Sequence, residues 1–120
     1  MKIKGIEHLE DKHVRFIERL HKVTGVDFEI KVTQNTSWGW AREDGKITVP
    51  PPWLELSDNH WKITVIHEVT HLVVGLDENH NKVFWRKFYD LACQFRLRKY
   101  AVKHMQDWRT GRKVLQELRK

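Results

Sequence analysis

The sequence predicts a single α+β domain over residues 1–120: an N-terminal helix, a small antiparallel sheet, a helix carrying the chemistry, and C-terminal helices. Three observations lead there. Apolar residues recur at steps of three and four in residues 6–23, in residues 61–76 and again after residue 82, which is helical spacing. Between the first two stretches, residues 26–33 alternate apolar and polar with period two, as in a half-buried strand. A chain of 120 residues is also close to the usual size of one domain and long enough to enclose a core.

In chain order, Ile6, Leu9, His13, Phe16, Ile17, Leu20 and Val23 place an amphipathic helix over 6–23, with Gly25 as its C-terminal stop. The strand at 26–33 follows, then the turn Gln34-Asn35-Thr36-Ser37. Residues 38–42 and 46–49 read as paired strands around Glu43-Asp44-Gly45. Pro50-Pro51-Pro52 ends the sheet, because proline cannot continue a hydrogen-bonded ladder. Ser57 or Asp58 can cap the next helix and Gly75 can close it. Val83, Phe84, Phe88, Leu91, Ala92 and Phe95 then line one face of a long helix. Residues 101–120 are expected to be helical, with an interruption at Thr110-Gly111. There is no internal repeat and no low-complexity segment.

Composition narrows the setting. No stretch is long and apolar enough to cross a bilayer, and the N-terminus lacks the continuous apolar run of a secretory signal. Cys93 is the only cysteine, so no internal disulfide can form and a reducing, cytoplasmic location is expected. The charge is uneven: residues 82–120 hold 12 Lys/Arg against 3 Asp/Glu, a net of +9, while residues 1–81 hold 10 against 13, a net of −3. The basic helical C-terminal region, about 97–120, suits either a nucleic-acid partner or a solvated surface.

The chemistry sits in His67-Glu68-Val69-Thr70-His71, which fits the pattern H-E-x-x-H. On a helix, His67 and His71 lie one turn apart on one face, so both imidazoles can reach one metal. Glu68 is then placed to take a proton from a metal-bound water. The many β-branched residues around the motif favour a strand, but Trp61, Val65, Val69, Leu72 and Leu76 fall at helical steps. In a strand, Glu68 would point away from both histidines.

A catalytic zinc usually takes three protein ligands and keeps one position open. Downstream of His71 the chain offers Asp77, Glu78 and His80. Asp77 is ten residues after His67, but the glycine that would turn the chain back in an extended motif falls at 75, where 74 is wanted. His80 is preferred: it opens the next helix, and Phe84 and Trp85 behind it can pack that helix against the HEVTH helix. His8, His13, His21, His60 and His104 have no comparable partners and read as structural or surface residues.

These motifs taken together resemble the SprT-like and YgjP-like zinc metallopeptidases, a branch of the zincins. The resemblance runs over residues 38–85, about two-fifths of the chain. It is carried by Trp38-Gly39, then Gly45-Lys46-Ile47-Thr48-Val49, a proline-and-tryptophan stretch, HEVTH, and Asn79-His80 followed by Phe84-Trp85. It implies a minimal zincin-like domain, one zinc on His67, His71 and His80, and Glu68 as catalytic base. It also implies a peptide or protein substrate. Trp40 and Ala41 follow the Trp-Gly pair where the family has small residues, and the strand ends Val49-Pro50, so this cleft has its own lining.

The expected function is therefore zinc-dependent peptide-bond hydrolysis. The strand at 38–42 or 46–49 could bind an extended peptide, with Trp38 and Trp40 either flanking the cleft or packing under the sheet. Tyr89 and Tyr100 are the candidates for a second group on the oxyanion. The alternatives are a nucleic-acid-associated protein using the basic C-terminal third, and a non-catalytic zinc-binding or interaction domain.

Overall fold

Gly5 sets the first departure from helix. The computed structural model describes residues 1–119. In it, Lys2–Lys4 form strand β1, and Gly5 turns with φ 78° so close to the sheet that a Cβ would lie 2.0 Å from the Val32 carbonyl oxygen. Only glycine fits there. Residues Ile6–His8 make a 3-10 turn, and helix α1 begins at Asp11 and ends at Thr24. Ile6 and Leu9 thus share helical spacing with α1 without belonging to it. Gly25, φ 68°, closes the helix as expected, its N–H donating to the His21 carbonyl.

The sheet is mixed, where the sequence suggested an antiparallel one. Strands β2 (Glu29–Val32), β3 (Trp40–Ala41) and β4 (Lys46–Val49) join β1 in the order β1-β2-β4-β3. β1 pairs parallel with β2, and β2 parallel with β4; only β3 and β4 are antiparallel. The reason is topological. Helix α1 crosses over between β1 and β2 and returns the chain in the same direction, a connection that parallel pairing requires. The β3–β4 hairpin turns through Gly45, φ 82°, as the Glu43-Asp44-Gly45 signal indicated.

Helix α2 (Asp58–Val74) runs through the middle of the domain, packed against α1, β3, β4 and two later helices, α3 (Lys82–Gln94) and α4 (Arg98–Met105). Ser57 caps it by accepting from the His60 N–H. Trp61, Val65, Ile66 and Val69 are fully buried, and so is Thr70 on the same turns. A helix enclosed on most sides carries apolar residues around its circumference, so its β-branched content reflects burial. Gly75 closes it.

Helix α3 ends in a sharp reversal. Arg96 sits at φ 60°, and the Leu97 N–H donates to the Ala92 carbonyl at 2.8 Å, folding α4 back along α3. The expected interruption near residue 110 falls instead at 106–108, before α5 (Arg109–Leu118). Gly111 lies inside α5, where a Cβ would stand 2.4 Å from the Met105 carbonyl oxygen. Its bare backbone lets α5 rest on the end of α4. Among the described residues, no helix is long and apolar enough to cross a membrane.

Candidate metal centre

The one-turn spacing on α2 sets His67 edge-on to His71, ring centroids 5.1 Å apart. His80 reaches them from the other side. It occupies the left-handed region, φ 52°, between a 3-10 turn (Leu76–Glu78) and α3. That conformation costs a non-glycine residue on the order of 1 kcal/mol. The cap just after it holds it in place: the Asn81 side chain accepts from the Phe84 N–H and donates to the Glu78 carboxylate. Phe84 and Trp85 are wholly buried, as the sequence suggested, and the Phe84 ring packs 4.5 Å from that of His71.

One potential ligand atom from each of His67, His71 and His80 lies within 4.8 Å of the others. His67 Nε2 and His80 Nε2 are 2.9 Å apart. Burial pushes the His67 imidazole down to about 2, with His104, His71 and His80 adding repulsion. Burial, then His80, brings His71 to about 4, and burial also lowers His80. All three are neutral at neutral pH, the form in which imidazole binds a metal. His71 Nδ1 is buried without a hydrogen-bond partner among the described residues. Converging neutral nitrogens suit a divalent cation.

Glu68 is 6% exposed and opens on the same cleft, a cavity of about 780 Å³. Among the described residues its carboxyl has no hydrogen bond or ion pair, and burial alone raises it to about 8. Gly39 passes directly over it: a Cβ at 39 would stand 2.9 Å from Glu68 Cγ and 3.0 Å from Oε2. The Trp-Gly pair therefore has a steric reason. Trp38 and Trp40 line the mouth and are 69% and 43% exposed, so they flank the cleft and do not pack under the sheet.

Other candidates lie elsewhere. Asp77 borders a smaller depression that His71 also lines, and Glu78 is engaged by Asn81; neither belongs to the close group of ligand atoms that the three histidines form. Tyr89 accepts from Arg98 Nε and Tyr100 packs on His60, away from the cleft. Cys93 is a partly buried residue on α3.

Two residues of the centre were missed. His104 on α4 places Nε2 at 3.0 Å from His67 Nδ1, which corrects its reading as a structural or surface histidine. Trp108 stacks on His80 with centroids 4.2 Å apart. The spacing of four between them was a weak signal; the separation of 37 positions from His67 to His104 gave none.

Compared with protein-family models, curated proteins and solved structures, the chain matches none of them.

Proposed function

We propose that this domain is a zinc-dependent peptidase of minimal zincin-like form, related to the SprT-like and YgjP-like enzymes. The observation that supports it most is the meeting of three neutral imidazoles and an unpartnered carboxylate in one open cleft. Three nitrogen ligands with an open side are the donor set of a catalytic zinc, whereas structural zinc sites are closed by four. A bound divalent cation would polarise a peptide carbonyl, acidify water and draw the Glu68 carboxyl back toward its ionised form.

The chain's own residues supply the rest. His67, His71 and His80 hold the metal. Glu68 takes a proton from water and delivers it to the departing amine. Gly39 keeps the carboxylate where it is, by leaving it room and no more. β3 is one of the two edge strands of the sheet, and its outer side can pair with an extended peptide between Trp38 and Trp40.

The experiment is peptide hydrolysis by zinc-loaded protein, with Glu68→Gln as control. The variant is expected to keep zinc and lose roughly 10²–10⁴-fold in rate, the usual contribution of a general base. Full activity in Glu68→Gln would remove Glu68 from this role. Zinc bound with no hydrolysis in the wild type would leave a non-catalytic zinc domain.

A further inference from the structure

The region after Trp85, outside the stretch that carries the family resemblance, builds part of the metal centre. His104 sits on the inner face of α4, with buried Ala101 about one turn before it and buried Met105 next to it. Its ring packs 5.4 Å from Phe88 and 5.9 Å from Trp85, both fixed in the core, and meets His67 edge-on at 5.1 Å. The tight reversal at Arg96 and Leu97 and the contact of Gly111 with Met105 fix α4 on both ends. The imidazole is aimed by its surroundings and is not a free rotor.

Two proton arrangements satisfy the chain His104–His67–His80. His104 Nε2–H could donate to His67 Nδ1, leaving the His67 proton on Nε2. That nitrogen faces His80 Nε2 at 2.9 Å and would then have no lone pair for a metal. In the opposite arrangement His67 Nδ1–H donates to His104 Nε2, and His67 Nε2 is free to coordinate. His104 opens on the cleft, and its Nδ1 is not among the buried atoms lacking a partner, so it can carry the proton there.

Resting on the metal site proposed above, we propose that His104 is a positioning residue: it accepts the His67 Nδ1–H and so reserves His67 Nε2 for the metal. Metal-bound histidines ordinarily donate their second N–H to a carboxylate, a carbonyl or water. A neutral imidazole does the same work without adding charge to a buried site. His71, whose Nδ1 has no such partner, is left to be oriented by packing against Phe84.

The test compares wild type, His104→Leu and His104→Gln. The glutamine amide oxygen can stand near the place of Nε2 and accept the same proton. Zinc affinity, read by competition with a chelator, is expected to fall roughly 10–100-fold in His104→Leu and to recover most of that in His104→Gln. Long-range ¹⁵N–¹H correlation of His67 is expected to show the proton on Nδ1 in the wild type and a mixture of tautomers in His104→Leu. Unchanged affinity in His104→Leu, or a wild-type His67 protonated on Nε2, would overturn the proposal. If the leucine variant does not fold, the wild-type tautomer alone decides. If wild type takes up no zinc, the metal reading fails, while the His67 tautomer in that sample still shows whether His104 accepts its proton.

Discussion

Helix α2 carries a buried-histidine corner at each end, and the two differ in one respect. At its start, His13 from α1 is 3% exposed and fully satisfied: Nδ1 accepts from the Glu10 N–H and Nε2 donates to Asp58 at 2.9 Å. Its ring lies edge-on to Trp61, whose own N–H donates to the Pro50 carbonyl. At the far end, the hydrogen-bond partners of His67 are other imidazoles, His71 Nδ1 has no partner, and Glu68 stands unpaired among the described residues. Burial is the same; satisfaction is not. A buried histidine with its hydrogen bonds made is structural, whereas an unpaired carboxyl opening on a cleft beside three converging imidazoles marks a place for a ligand.

The largest effects should come from exchanging the two corners' roles. His71→Leu is expected to lower zinc affinity by at least about 100-fold, since three nitrogen ligands become two. Its metal-free stability should stay within about 1 kcal/mol, because removing an unpartnered buried nitrogen relieves a desolvated group. His13→Ala should do the reverse. It leaves Asp58 with Lys12 alone, strands the Glu10 N–H and uncovers Trp61, for a loss of about 2–4 kcal/mol in denaturant unfolding with zinc affinity unchanged. Equal effects of both changes on zinc would erase the distinction.

A narrower change acts on the carboxylate alone. Gly39→Ala drives a methyl group into Glu68, so hydrolysis should fall on the order of 10–100-fold while zinc affinity changes little. Steady-state kinetics beside the chelator measurement separates the two. A fully active variant would mean that Glu68 tolerates displacement and is not held by the Trp-Gly segment.

The smallest effect lies on the surface, at an ion-pair cluster that enters neither corner. Lys82 and Arg86 hold the exposed Glu117 carboxyl down to about 2, from an ordinary value of 4.5. A lowered carboxyl stabilises the fold above its unfolded value, and the contribution disappears as pH falls through the folded value. Melting temperatures of wild type and Glu117→Gln should therefore differ slightly near pH 6 and converge as pH drops from about 5 to about 2. A gap that widens in acid would reverse the sign.

What the sequence revealed follows the range of the interactions. HEVTH, the cap at Ser57 and the hairpin through Gly45 are local: their partners lie within a few residues, so spacing alone shows them. β1 was missed because three residues of Lys-Ile-Lys are too short to declare a period, and because Ile6 and Leu9 mimic the helix beyond Gly5. The parallel pairings escaped because they depend on where α1 returns the chain to β2 and where the segment through β3 returns it to β4, which no local pattern encodes. His104 escaped for the same reason, since its partner lies on another helix. His80 was legible only through its aromatic neighbours; the left-handed backbone that delivers it was not.

The claim that His67, His71 and His80 form a metal centre is tested most directly by zinc content. Elemental analysis of protein purified without added metal, followed by zinc titration, should give close to one zinc per chain and well under that in His80→Ala. A wild-type chain that carries no zinc and takes none up would contradict it, and would make the open corner of α2 a cluster of buried imidazoles with no ligand.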